Sequence, residues 1–461
     1  MTNKWLLSVP TLFGLESLAA REIRMLGYDT EQVEDGRVSF YGDARAICRA
    51  NIWLRTAERV QIKIGDFTAV SFSELFDQTK ALHWADILPR DANFPVSGHC
   101  LSSRLRSVPD CQSIIKKAIV ESMKSRWDIV KFNETGPLYR INFNIIRDRV
   151  TIYIDTSGDG LHKRGYRENT APTPIRETLA AALVDLSRWH PGKALWDPFC
   201  GSGTIAIEAA MIAAHRAPGL TRGFVAESWK TPCIPPHESV SASATATATA
   251  SAPATASASA TVQSPTFKSI FNDERAKARA LYDKKLYEPV ANTDTPAASR
   301  AASAASRDTP AAGHAASAAG YAASAINHVF IEIAGSDYSR QCVRAARQNA
   351  KEAGVAHLVR FFQMNAKQMD LKQSMLSEVG IKFPARGCIV TNPPYGERHN
   401  DKTEALETCR EWAPALVGFH DWSWCIISAL DDFERAIGRR ASKRRKLNNG
   451  KIKCQTYLFW Q

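Results

Sequence analysis

No stretch of this chain approaches the roughly 20 consecutive apolar residues that a membrane-spanning helix requires. A helical membrane protein is thereby excluded, although apolar residues make up 44% of the 461. C-x-x-C pairs are also absent, the ten cysteines standing singly from Cys48 to Cys454. Such scatter argues against a zinc ribbon and against a disulfide framework, and it predicts reduced thiols, mostly in the core. His162, His215 and His399 have no metal-ligand spacing, so no metal is expected. The opening MTNKWLLSVPTLFGLES holds too short an apolar run for a secretory signal and leads straight into a helix pattern. A cytoplasmic address and no membrane partner are the expectation. Acidic residues are in short supply: 47 Asp and Glu face 59 Lys and Arg, a net charge of +12. That balance suits a nucleic-acid partner without requiring one.

Two or three domains of roughly 100–200 residues each are the prior for this length. Residues 1–65 read as a small α+β unit: a strand at Trp5 to Val9, a helix with Leu15, Leu18, Ala19 and Leu26 on one face, and a hairpin at Glu34-Asp35-Gly36. Residues 66–158 read as a second α+β unit. It has a strand near Phe94-Pro95-Val96, a helix over Asp110 to Arg126, and alternating strands Tyr139 to Ile146 and Arg149 to Asp155 joined at Arg147-Asp148. From residue 159 to 461, apolar helices alternate with short apolar strands, the pattern of a parallel sheet with crossovers. Two segments interrupt it. Residues 239–267 and about 290–325 are nearly pure Ala, Ser, Thr and Pro, with too few large side chains to bury, and read as disordered surface insertions. A charged helix over Ile270 to Leu286 lies between them.

The chemistry concentrates at strand ends. In Ala194 to Ala210, ALWDPFCGSGTIAIEAA, a strand ends at Asp197, a turn holds Cys200, Gly201 and Gly203, and a helix starts at Thr204. Glycines there let a ligand approach the backbone at a helix N-terminus. Gly201, Gly203 and Ala206 also satisfy G-x-G-x-x-A, so a nicotinamide oxidoreductase is a rival on this motif alone. A second strand, Val329 to Ala334, leads into Gly335-Ser336-Asp337, an acidic tip suited to the two hydroxyls of a ribose. A third, Val359 to Met364, ends at Asn365, where an amide can meet an adenine edge. A fourth, Cys388-Ile389-Val390, runs into TNPPYGERHN. Proline cannot donate to a sheet ladder, so pairing stops at Asn392 and leaves its side chain at the carboxyl end of the sheet. Ligands bind at that end in open α/β sheets.

Asn392-Pro393-Pro394-Tyr395 resembles the N/D-P-P-Y/F/W motif of class I S-adenosylmethionine-dependent methyltransferases acting on exocyclic amines. Together with Gly160 to Ala182, Asp197 to Ala210, Arg216 to Leu220 and Gly335-Ser336-Asp337, it makes the whole chain outside the two insertions similar to the THUMP-domain guanine-N2 methyltransferases of large-subunit (23S) ribosomal RNA. The resemblance implies a Rossmann-like α/β methyltransferase domain preceded by ferredoxin-like and THUMP α+β domains. It implies S-adenosylmethionine as cofactor, held by Asp197, Cys200, Gly201, Gly203, Thr204, Asp337 and Asn365, and RNA as partner. Asn392, Pro393, Pro394 and Tyr395 become the catalytic set: Asn392 and the Pro393 carbonyl accept the amine N–H groups, and Tyr395 stacks on the base. Asn365 stands where that family often has Asp. Transfer RNA guanine and DNA or RNA adenine remain open, because the same motif serves adenine amines. A non-catalytic RNA-binding assembly factor would be expected to lose the glycine turn or the Asn, and neither is lost.

For the RNA backbone the candidates are Arg104, Arg106, Lys116, Lys117, Lys163, Arg164 and Arg167, together with Arg444 and Arg445 of the run RRASKRRK, Arg439 to Lys446. That run is expected to lie between strands Trp424 to Ala429 and Lys453 to Trp460, in a hairpin beside the active face.

Overall fold

The computed structural model describes residues 4–127, 132–167, 175–230, 265–287, 333–368, 386–396 and 399–460. Both insertions lie outside them apart from residues 265–267, as do residues 168–174, 397 and 398 of the quoted motifs. Two compact units form: Met1–Arg164 with Pro218–Lys277, and Gly165–Ala217 with Ala278–Gln461.

In the first unit, β1 (Trp5–Pro10), β2 (Thr30–Glu34), β3 (Arg37–Gly42), β4 (Gln61–Thr68), β5 (Val96–Leu101), β6 (Arg140–Ile146) and β7 (Arg149–Asp155) form one sheet of order β2-β3-β1-β4-β7-β6-β5. The expected division after residue 65 falls inside β4, a strand not anticipated. β4 pairs with β1 at Leu7↔Ile62 and with β7 from Gln61↔Asp155 to Thr68↔Arg149, so the two α+β halves share a single ladder. The β6–β7 turn is made by Arg147 and Asp148 at φ 51° and 65°, the left-handed pair that a tight two-residue hairpin needs. On the helices, α1 (Glu16–Met25) buries Leu18, Ala19, Ala20 and Ile23. The remaining helices here are α2 (Ala44–Trp53), α3 (Phe72–Lys80), α4 (Trp84–Ile87) and α5 (Val108–Trp127). α5 buries Cys111, Ile115, Ala118, Ile119 and Met123, a stripe at helical spacing.

The chain returns to this unit after residue 217. Gly219 N–H donates to Ile52 O (2.9 Å), and Trp229 stacks on Tyr139 with ring centroids 4.5 Å apart. Phe267, expected to close the first insertion, is fully buried at the start of α8 (Phe267–Tyr287), edge-on to Trp229 at 6.0 Å. The low-complexity stretch therefore ends before it.

The second unit holds α6 (Glu177–Leu186), β8 (Ala194–Asp197), α7 (Thr204–Ala213), β9 (Ile333–Asp337), α9 (Arg340–Glu352), β10 (Val359–Gln363), β11 (Gly387–Thr391), α10 (His399–Val417), β12 (Ser423–Ser428), α11 (Phe433–Ile437), β13 (Lys443–Asn449) and β14 (Ile452–Phe459). Residues 329–332 of the expected second strand lie outside the described residues. The sheet order is β10-β9-β8-β11-β12-β14-β13, parallel from β10 to β12 and antiparallel through β14 and β13. Strand order reverses at β8, whose neighbours are β9 and β11, and the crevice at the carboxyl ends of β8 and β11 is the switch point where such sheets bind ligands. The basic run falls in the hairpin expected between β12 and the last strand: its second half is edge strand β13, paired with β14 from Lys443↔Leu458 to Asn449↔Ile452. Charged side chains on an outer strand discourage edge-to-edge pairing with another sheet. Among the described residues no helix is long and apolar enough to cross a membrane.

Candidate active site

β8 ends at Asp197, which is 1% exposed. The chain then turns through Pro198 to Gly203, pinned by Cys200 N–H to Ser336 O (2.9 Å) and Gly203 N–H to Cys200 O (2.7 Å). Gly203 has φ +85°, and a Cβ there would lie 2.8 Å from both Ala346 Cβ and the Phe361 ring. Glycine is required for the turn and for the close packing of α7. Gly201 N–H donates to Asp337 Oδ2 (3.0 Å) and Ser339 N–H to Asp337 Oδ1 (2.9 Å), which aims the carboxylate at the tip of β9. Each carboxylate oxygen keeps a second lone pair for a ligand hydroxyl.

Burial sets the electrostatics. It pushes Asp197 up to about 7, against the Thr391 hydroxyl and Phe199 N–H, while the nearby Asp337 charge adds to the rise. Asp337 is also raised by burial, opposed by the Ser339 and Gly201 amides. The Cys200 thiol goes well above its ordinary value for the same reason, with both carboxylates adding.

Across the crevice, β11 ends at Thr391 and the chain leaves the sheet at Asn392. Asn392 Oδ1 is buried without a hydrogen-bond partner. A buried acceptor in that state costs stability unless a donor arrives. Tyr395 is 6% exposed, and its hydroxyl accepts a hydrogen bond from Asn449 Nδ2 at 2.7 Å.

These groups line one cavity of about 840 Å³. Asp197, Cys200, Gly201, Thr204, Asp337 and Asn365 are on its wall, as are Asn392, Pro393, Pro394 and Tyr395. Gly203 is not among the lining residues, and its contribution is to the turn. Asn365 is exposed and its side-chain oxygen accepts from Lys367 N–H (3.1 Å), capping the turn that follows. Sequence reasoning missed Tyr338, Lys367, Glu404 and Thr408, which also line the cavity. Tyr338 carried a signal, an aromatic directly after the acidic strand tip, and it is 75% exposed. Glu404 and Thr408 are four apart on α10 and so share a face.

The proposed phosphate contacts divide. Arg104 is 72% exposed, and Arg106 and Lys117 are exposed as well. Lys163 is exposed and 3.5 Å from Asp159. Lys116 is bound to Glu134 at 2.7 Å. Arg444 forms a bidentate pair with Glu434, and Arg445 is half-buried on β13. Two expectations are overturned. Arg164 is 2% exposed and donates to Leu161 O (2.6 Å) and Arg55 O (2.5 Å), so it ties loops together and is not available to a phosphate. Arg167 is largely buried, on Glu177 at 3.1 Å and Ile175 O at 2.7 Å. Among the described residues no cluster of three His, Cys, Asp or Glu is placed to hold a metal ion.

A glycine turn and an acidic strand tip at the switch point of a parallel sheet, facing an Asn-Pro-Pro-Tyr loop, define a class I S-adenosylmethionine-dependent methyltransferase. The residues fit that cofactor: the turn brings backbone to the cavity wall, and Asp337 is oriented for a diol. The chain belongs to the RMKL-like methyltransferase family, whose domain matches residues 164–457 and is preceded by an RlmL ferredoxin-like domain at 7–61 and a THUMP domain at 69–155. It is 37% identical over 460 residues to YpsC of Bacillus subtilis (strain 168), provisionally named an RNA methyltransferase, covering 99% of this chain and 96% of that one. A Listeria monocytogenes (str. 4b F2365) protein described as a predicted N6-adenine-specific DNA methylase is 36% identical, with a TM-score of 0.74 over 99% of this chain and 96% of that one. SMU.472, a methyltransferase candidate solved with S-adenosylhomocysteine, is 32% identical, with a TM-score of 0.73 over 100% of this chain and 99% of that one.

Proposed function

We propose that the protein methylates the exocyclic amine of a guanine in RNA, at N2, with 23S ribosomal RNA as substrate and the cytoplasm as its place of action. The observation that carries this is Asn392 Oδ1, a buried acceptor without a partner at the end of β11, on the wall of the cavity shared with Asp337. S-adenosylmethionine, when bound, supplies an electrophilic methyl group. Asp337 would accept the ribose hydroxyls, and the backbone of the Cys200–Thr204 turn would border the rest of the cofactor. Asn365, on the same cavity wall, would meet the adenine edge.

A guanine amine has its lone pair delocalised into the ring and attacks poorly unless it is pyramidalised. Asn392 Oδ1 and the Pro393 carbonyl each accept one N–H, which turns the lone pair toward the methyl. The nitrogen becomes acidic as it is alkylated, so no strong base is needed. Tyr395 stacks on a base withdrawn from its helix. The ferredoxin-like and THUMP halves of the first unit, with exposed Arg104, Arg106, Lys117 and Lys163, track phosphates and RNA shape. The nine free cysteines among the described residues accord with a reducing compartment.

Adenine N6 is the second reading, favoured by the Listeria relative's description and by the motif's compatibility with either amine. Nucleoside mass spectrometry of ribosomal RNA, transfer RNA and DNA from a deletion strain separates them. Loss of N2-methylguanosine from large-subunit RNA is the expected result. Loss of an N6-methyladenine instead would overturn it.

A further inference from the structure

Tyr395 is held from a strand that the motif does not include. Asn449 is the last residue of β13, paired with Ile452 across a two-residue turn at Gly450 and Lys451. Gly450 has φ +61°, which permits the tight reversal. Strand register on one side and the turn on the other fix where the Asn449 side chain begins. Asn449 is 8% exposed, and its amide N–H spans 2.7 Å to the Tyr395 oxygen. Cys454, opposite Leu447 on β14, is within hydrogen-bonding reach of the same tyrosine.

The loop between Asn392 and Tyr395 is stiff, because Pro393 and Pro394 restrict φ. One end is set by β11 and the other by the hydroxyl contact. A stacking ring free to turn would let the base tilt, and the amine would then miss Asn392. Positioning from a strand end is more exact than positioning from a loop.

We propose that Asn449 is a positioning residue for methyl transfer, fixing the plane of Tyr395 against which the target base stacks. This rests on the base-stacking reading above. The test uses full-length protein, undermodified large-subunit ribosomal RNA from a deletion strain, and radiolabelled S-adenosylmethionine. Asn449→Ala and Tyr395→Phe each remove the same contact, the second while keeping the ring. Each is expected to lower kcat by about 10-fold, with S-adenosylhomocysteine affinity within about 2-fold of wild type. The double variant should be no worse than Tyr395→Phe alone, the signature of Asn449 acting only through that hydroxyl. Should Asn449→Ala destabilise the hairpin, Tyr395→Phe still decides, through a thermal midpoint near wild type and a reduced kcat. Unchanged kcat in Tyr395→Phe, or effects that multiply in the double variant, would overturn the proposal. Full activity of Tyr395→Ala would remove the stacking reading itself, an outcome distinct from failure of Asn449 alone.

Discussion

Thr391 Oγ1 donates to Asp197 Oδ1 at 2.6 Å, and both residues are buried. The contact joins the end of β11, one residue before the Asn392 acceptor, to the end of β8, where the glycine turn begins. β8 and β11 are parallel neighbours paired at Ile389↔Trp196, so the bond closes the ladder at the mouth of the crevice. The glycine turn after β8 and the Asn392 loop after β11 are thereby fixed to each other. A carboxyl in so dry a place is costly, and its pKa records the cost.

That cost has a pH signature. Burial raises the folded-state pKa of Asp197 to about 7, against about 3.9 in an unfolded chain. The folded protein thus retains a proton that the unfolded chain has released, and stability from this group is full below about pH 4 and lost as pH rises through about 7. Asp197→Asn keeps an oxygen for Thr391 and cannot ionise. Its thermal midpoint is expected to exceed wild type by about 3 °C or more at pH 8 and to converge with it at pH 4. Scanning calorimetry at the two pH values checks this, and equal differences at both would contradict the assignment.

Positioning and binding separate in a second pair. Asn392→Ala is expected to lower methyl transfer by at least about 100-fold while leaving cofactor affinity near normal, because its acceptor acts on the amine. Asp337→Ala removes the carboxylate held by Gly201 and Ser339 and should weaken cofactor binding. Isothermal titration with S-adenosylhomocysteine distinguishes the two, and equal loss of affinity in both variants would sink the division of roles.

What could be read before the structure was local. The strand ends at or beside Asp197, Asp337 and Asn392 were legible because glycine, acidic residues and proline announce where a strand stops. β4 was not, since its partners are distant in sequence: Gln61 faces Asp155 and Ile62 faces Leu7. Arg164 read as a surface cation because a sequence does not reveal carbonyls such as Leu161 O and Arg55 O that allow a guanidinium to be buried. Asn449 was invisible for the same reason, its partner Tyr395 being 54 residues away.

Phe267 gives a test of where the first insertion stops. Its ring is fully buried against Trp229, so Phe267→Ala should cost about 3–5 kcal/mol. Replacing residues 239–264 with a short Gly/Ser bridge removes a stretch whose composition offers almost nothing to bury, and loop-closure entropy changes only with the logarithm of length. Its midpoint should stay within about 2 °C of wild type. Chemical denaturation for the free energies and thermal melting for the midpoints, with both variants side by side, check the contrast.

RNA grip is best tested by point substitution. A fragment starting near Asp159 would strip Ile52 from Gly219 and Tyr139 from Trp229, exposing a segment that needs its first-unit partners. Arg104, Arg106 and Lys117 are exposed on that unit, so replacing all three with alanine should leave the fold intact. Each phosphate neutralised contributes about −0.7 to −0.9 to the slope of log affinity against log salt, so the triple variant's slope should be shallower by about 2 to 3. Arg164→Ala is the contrasting case: its guanidinium bonds to carbonyls inside the protein, and its loss should lower the thermal midpoint without flattening the slope. Filter binding of large-subunit ribosomal RNA between about 50 and 200 mM salt measures both. An unchanged slope in the triple variant would mean that these cations do not meet the RNA backbone.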